Sequence, residues 1–142
     1  ERLSEGPVIV QYIADQAPAK KLAPPAGTLA RYRLQEWLNF ITSEIHKGFG
    51  ALFIPAMPEE GKAVFRQKVT DRLKWVDGQL AGRTFLLGDD FTGADAYLFT
   101  CTRWAGFCKV DIAGLNNLAA FMDRVAARPA VRAAMQTEGL LK

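Results

Sequence analysis

The chain contains a single histidine, His46, and the polar residues spaced around it are the ones that could do chemistry. In a helix, Asn39 lies two turns before it, Thr42 and Ser43 one turn before, and Gly50 one turn after. Lys47 follows it directly. Seven residues is close to two full turns, so Asn39 and His46 share a face. An amide, a hydroxyl, an imidazole and a cation on one wall suit a small anionic, peptide-like ligand. Histidine as a residue type also holds or releases a proton near neutral pH. The same spacing equally describes a solvated helix face.

Other candidates carry simpler explanations beside the chemical ones. Asp95 could be a catalytic acid, but in Thr92-Gly93-Ala94-Asp95 it completes a capping box, with Asp in the usual Glu position. Tyr97 and Trp104 fall at helical spacing among other aromatics. That pattern reads as core, although such residues could wall an apolar pocket. Glu5 stands at a helix start, where it can cap backbone N–H groups or accept a hydrogen bond from a ligand amine. Cys101 and Cys108 sit two turns apart in what reads as one helix, about 10 Å from each other. A disulfide needs Cα atoms within about 7 Å, so the pair reads as two small buried hydrophobes. With one histidine elsewhere, they make a poor zinc set.

Composition narrows the class. The 142 residues are 49% hydrophobic and 23% charged, which suits one globular domain or one domain with a short appendage. The net charge of +3 is spread along the chain, with Glu36, Glu44, Glu59, Glu60, Asp71 and Asp77 interrupting the cations. Nucleic-acid binders concentrate basic residues on one face, so nucleic acid is not expected as a partner. No apolar run approaches the ~20 residues of a membrane span, and the polar start has no apolar signal region. A cytoplasmic location with no membrane partner is the expectation.

The elements that position these residues follow from periodicity and breakers. A first helix runs from about Pro7 to Asp15, capped by Ser4 or Glu5, with Pro7 in its first turn. Ala17-Pro18 and Pro24-Pro25-Ala26-Gly27 mark a linker. A long second helix starts near Thr28, with Leu34, Trp37, Leu38, Ile41, Ile45 and Phe49 as its core stripe. Gly48 and Gly50 loosen its far end. Glu59-Glu60 opens a third helix with the stripe Phe65, Val69, Leu73, Val76 and Leu80, stopped by Gly82. The capping box starts a helix from Ala94 to about Phe107 that is apolar on most sides and therefore buried and central. Leu115 to Ala126 forms the next, and Val131 to Met135 a short last one after Arg128-Pro129. No alternating strand is present, and the predicted fold is an all-α bundle around a buried central helix.

Three segments together resemble a known family. Ser4-Glu5-Gly6-Pro7-Val8-Ile9-Val10-Gln11-Tyr12-Ile13-Ala14-Asp15 resembles the last junction and final helix of a glutathione transferase's thioredoxin-like domain. Trp37 to Phe49, with Asn39, Glu44, His46 and Lys47, resembles the first long helix of the bacterial beta class. Phe91-Thr92-Gly93-Ala94-Asp95-Ala96-Tyr97-Leu98-Phe99 resembles the family's buried helix with its capping box. The resemblance spans essentially the whole chain. It implies residues 1–17 as a remnant of the thioredoxin-like domain, 18–27 as a linker and 28–142 as the helical C-terminal domain.

The resemblance also implies roles. Glutathione would be the co-substrate, with no metal, and a small, partly apolar electrophile the second substrate. Glu5 matches the acid that holds the γ-glutamyl ammonium. Gly6 matches a position that is often serine, where hydroxyl and backbone N–H grip the γ-glutamyl carboxylate. Gly6 keeps only the N–H, at a helix N-terminus suited to anions. Asn39, His46 and Lys47 match residues facing glutathione, and His46 would assist the thiol by hydrogen bonding or proton acceptance. Glu44 would reach the ligand of a neighbouring subunit in a homodimer, and Trp104 would flank the electrophile's pocket. Gly93 replaces a branched residue and is expected to weaken its helix start slightly. The apolar face of the first helix (Val8, Ile9, Tyr12, Ile13) lacks the sheet it packs on in the family and needs another partner. The chain alone is expected to conjugate little. A non-catalytic assembly module is the alternative that such helical domains allow.

Overall fold

Pro7 lies in the first turn of α1 (Gly6–Gln16), where its missing N–H is one the helix leaves unpaired anyway. A single 3₁₀ turn, Pro18–Lys20, interrupts the proline-rich linker that follows. Thr28 then caps α2 (Leu29–Phe40), its hydroxyl accepting from the Arg31 N–H at 3.2 Å. The remaining helices are α3 (Lys47–Leu52), α4 (Glu59–Leu80), α5 (Gly93–Thr102), α6 (Trp104–Cys108), α7 (Asn116–Ala126) and α8 (Pro129–Thr137). This computed structural model describes residues 1–141, and among them there is no β-strand. The all-α expectation holds. Among the described residues, no helix is long and apolar enough to cross a membrane.

The long second helix of the sequence reading is not regular. Between α2 and α3, Ile41–His46 forms a π-helical turn, in which the Lys47 N–H reaches back five residues to the Thr42 carbonyl. Such a turn acts as one extra residue in the helix. It turns everything after it back by roughly a quarter of a circle relative to a regular α-helix. The stacking of Asn39 over His46 on two regular turns is therefore corrected. Four residues now make close to one turn, so Thr42 and His46 align instead.

The core runs through the middle of the bundle. Leu34, Leu38, Ile41, Ile45 and Phe49 bury one continuous stripe, which meets Val69, Leu73, Val76 and Leu80 of α4. Leu98 and Cys101 of α5 and Leu118, Phe121 and Val125 of α7 close the other side. Gly48 does not loosen α3. It permits a close approach to α4, because a Cβ there would lie 2.6 Å from Val69 Cγ2.

α5 is the central helix, and its start is tightly specified. The buried Asp95 carboxylate accepts from the Thr92 N–H at 2.8 Å and the Thr92 hydroxyl at 2.9 Å, and from the Leu86 N–H at 2.9 Å. Both halves of the capping box are present, and the structural reading of Asp95 accounts for all of these bonds. The helix does not continue to Phe107 as expected: it breaks at Arg103, and Trp104–Cys108 restarts as α6. Cys101 and Cys108 thus lie on different helices. Both are buried and unpaired with each other.

α1 stays attached to the bundle. Val10 packs where Gly93 lacks a side chain, the Gln35 amide donates to Gln11 Oε1 at 2.9 Å, and Arg31 joins Asp15 to the linker. The Arg31 guanidinium is buried, donates to the Pro24 carbonyl at 2.7 Å, and pairs with the Asp15 carboxylate. Among the described residues the outer face of α1 has no such partner, and its Val8, Tyr12 and Ile13 are exposed.

Candidate active site

His46 ends the π-helical turn, and its side chain meets α5 and α6. Its Nδ1 lies 2.6 Å from the Tyr97 hydroxyl. Its ring stands edge-on to Tyr97, with centroids 5.7 Å apart, and to Trp104, with centroids 5.1 Å apart. Trp104 in turn meets Phe49 and Phe53 edge-on at 5.8 and 5.5 Å. Phe53 stacks on Phe107 at 5.7 Å. Phe53 and Phe107 are 42% and 80% exposed. The result is an imidazole at the edge of an open aromatic shelf.

The other predicted residues divide. Glu5 is not a side-chain cap, contrary to the simpler sequence reading, because its carboxylate makes no capping bond to α1. Its backbone sits at φ 69°, ψ 111°, which is uncommon for a residue with a Cβ. The Glu5 carbonyl accepts from the Val8 and Ile9 N–H groups at 3.0 Å each. Burial pushes the Tyr97 phenol above its ordinary range, and the Thr42 hydrogen bond opposes that shift. Gly6 follows Glu5 at the first position of α1. Asn39 and Lys47 are exposed on the helix that carries His46. Glu44 points elsewhere: its carboxylate accepts from Arg72 Nε of α4 at 2.8 Å.

Tyr97 is the residue that sequence reasoning missed. Aromatic spacing on an apolar helix reads as core, and Tyr97 is indeed half-buried. Its hydroxyl could have signalled more, because a buried phenol normally finds a polar partner. Neither cysteine is a candidate nucleophile. Burial pushes the Cys101 thiol up to about 12 and raises that of Cys108 as well. No cluster of metal-ligating side chains occurs among the described residues.

The structure is thus an all-α bundle with a capped central helix, in which a polar wall meets an aromatic shelf. Residues 40–129 match the family described as glutathione S-transferase, C-terminal domain. Glutathione S-transferase GstA of Escherichia coli O157:H7 is 46% identical over 138 residues, covering 97% of this chain and 69% of that protein. A bacterial beta-class glutathione S-transferase of Sphingomonas chungbukensis superposes with a TM-score of 0.93 at 42% identity, covering 98% of this chain and 69% of that one. A sphingomonad glutathione S-transferase complexed with glutathione gives a TM-score of 0.93 at 45% identity, with 97% and 69% covered. The chain belongs to the glutathione S-transferase family, a family of transferase enzymes. Its neighbours include the bacterial beta class, as the Trp37–Phe49 segment implied.

Proposed function

We propose that this chain supplies the helical wall of a beta-class glutathione transferase site, which takes up glutathione and directs its thiolate onto a small, partly apolar electrophile. The observation that carries this is the His46 imidazole held between the Tyr97 hydroxyl, 2.6 Å from Nδ1, and the Trp104 ring. Glutathione bound to the sphingomonad relative supports the choice of ligand. In this reading the Glu5 carboxylate accepts from the γ-glutamyl ammonium. The Gly6 N–H, at the positive end of α1, binds the γ-glutamyl carboxylate. Asn39 and Lys47 hold the rest of the tripeptide, and His46 faces the sulfur. The new carbon–sulfur bond forms as the thiolate attacks, and the leaving group departs with its electron pair. The shelf of half-buried Trp104 and exposed Phe53 and Phe107 receives the apolar part of the electrophile.

Residues 1–17 then belong with a thioredoxin-like unit, 18–27 with a linker and 28–142 with the helical domain. The exposed Val8, Tyr12 and Ile13 and the family match over 40–129 support that division. A homodimer is the proposed assembly. Trp37, Phe40 and Trp75 form an aromatic group on α2 and α4, with centroids 4.6–5.9 Å apart. Aromatic residues and arginine favour the centre of an interface. Glu44 is one turn beyond Phe40, and its partner Arg72 one turn before Trp75, so Glu44 stands at the edge of this group and would face the second copy. The assembly-module alternative has less support, because the relatives at 46% and 45% identity are named as transferases.

The test uses the 142 residues by themselves. His46, Lys47, Asn39, Glu5 and Gly6 are all exposed, so the wall is open on one side. Calorimetric titration with glutathione should give weak binding that Glu5→Gln and Lys47→Ala each weaken further, and chloronitrobenzene conjugation should be slow. Binding indifferent to both substitutions would overturn the residue assignment. Turnover equal to that of a full-length relative would overturn the reading of an incomplete wall.

A further inference from the structure

We propose that Tyr97 is the positioning residue that fixes the tautomer of His46, so that the imidazole presents its Nε2–H to the glutathione sulfur as a hydrogen-bond donor and does not act as a general base. The proposal rests on the reading above that His46 faces that sulfur. It decides between the two roles the resemblance left open for this histidine.

The argument is a count of protons among three side chains. The Tyr97 hydroxyl has one proton and two possible acceptors. His46 Nδ1 lies 2.6 Å away and Thr42 Oγ1 lies 3.4 Å away. Thr42 has its own proton to place. Its Oγ1 lies 2.8 Å from the Leu38 carbonyl, one helical turn back, and that carbonyl can only accept. Thr42 therefore offers Tyr97 a lone pair and no donor. The phenol proton goes either to nitrogen at 2.6 Å or to oxygen at 3.4 Å. Hydrogen bonds from O–H groups lie mostly below about 3.0 Å, so the nitrogen wins. A neutral imidazole whose Nδ1 accepts carries its hydrogen on Nε2.

This arrangement has a chemical consequence. An Nε2 that already bears hydrogen has no lone pair with which to take the thiol proton. It can donate to the thiolate and stabilise the negative sulfur, while the thiol proton leaves to solvent. If the imidazole gains a second proton, Nδ1–H becomes a donor, and Tyr97 must accept from it. The phenol proton then turns to solvent, which the half-buried Tyr97 can reach, or toward Thr42 at 3.4 Å. Both protonation states of His46 thus keep a partner on Nδ1 and leave Nε2 facing outward. The phenol itself remains a neutral donor, because burial raises its ionisation above the ordinary range. Its place on α5 is rigid, since the capping box anchors that helix two residues earlier.

The sole histidine makes the test direct, because a two-bond ¹⁵N–¹H spectrum of the labelled chain contains one imidazole. Recorded without glutathione and with the ring neutral, it should show the Nε2–H pattern as the dominant form. Tyr97→Phe, which keeps the ring and removes the hydroxyl, should average that pattern toward a tautomer mixture. A dominant Nδ1–H pattern in the unsubstituted chain would overturn the proposal, and that spectrum needs no variant to fold. A pattern unchanged in Tyr97→Phe, with helical circular dichroism retained, would overturn it as well. Glutathione is then added to the unsubstituted chain. A shift of the Nε2 resonance supports the donor role. No shift removes His46 from the sulfur, and the donor half of the proposal with it, while the spectra without glutathione still decide what Tyr97 does.

Discussion

Gly6 is the residue at which the site can be improved. A Cβ at this position would have no heavy atom within 4 Å, so Gly6→Ser adds a hydroxyl beside the Gly6 N–H without displacing anything. One added hydrogen bond to a carboxylate contributes about 1 kcal/mol, or about five-fold in affinity. Calorimetry should find glutathione binding tightened by that factor, and unchanged or weaker binding would remove the γ-glutamyl group from this corner. Glu5, one residue earlier, holds a backbone conformation that costs of order 1–3 kcal/mol in a residue with a Cβ. The resemblance named this corner, but the Glu5 backbone conformation was not legible, because φ leaves no mark on residue type unless glycine occupies the strained position. His46, Lys47 and Asn39 were legible as polar residues on one helix. Tyr97 was not, because on an apolar helix a phenol has the spacing of a core residue, and its partner is 51 positions away in the chain.

At the level of helices, Gly93 reverses its expectation. The sequence reading had it weaken the start of α5, yet a Cβ there would collide with Val10 of α1. Gly93→Ala should therefore destabilise the fold by about 1–3 kcal/mol despite its better helix propensity. Thermal denaturation checks this, and adding Val10→Ala should recover most of the loss. A Gly93→Ala protein that melts higher than the parent would show that α1 does not press on α5. A second joint ties α1 to α2. The Arg31 hydrogen bond to the Asp15 carboxylate holds that acid below its ordinary range, with the guanidinium charge acting the same way. An acid depressed on folding contributes stability that is present above its unfolded value and lost as pH falls through the folded one. Asp15→Asn should melt below the parent at neutral pH, and the difference should close as pH drops below the usual carboxylate range. A difference independent of pH would rule out the ion pair as its source. Long periodic stripes made α2, α4 and α7 legible, and Thr92 with Asp95 made the start of α5 legible. The break at Arg103 was hidden because neither glycine nor proline marks it.

On the scale of the whole molecule, two apolar surfaces lie outside the core besides the aromatic shelf. One is the outer face of α1 with Val8, Tyr12 and Ile13; the other is the aromatic group of Trp37, Phe40 and Trp75. Trp75 is 46% exposed, and a lysine there would place a charge at the centre of the proposed contact between copies. Trp75→Lys should convert a dimer to a monomer in light scattering while helical content is retained. A mass unaffected by the change would move the dimer contact away from α2 and α4. The π-helical turn at Ile41–His46 has a consequence of another kind, for how this chain can vary in length. The turn stores one residue more than a regular helix needs, so deleting any one residue of the segment lets the helix close into an ordinary α-helix. The turn takes back the roughly 100° that the extra residue adds, so the buried stripe after it would still face α4. This segment is where the helix can shorten by a residue with its buried face unturned. Descendants of this sequence can lose the exposed Ser43 and keep the core that follows it.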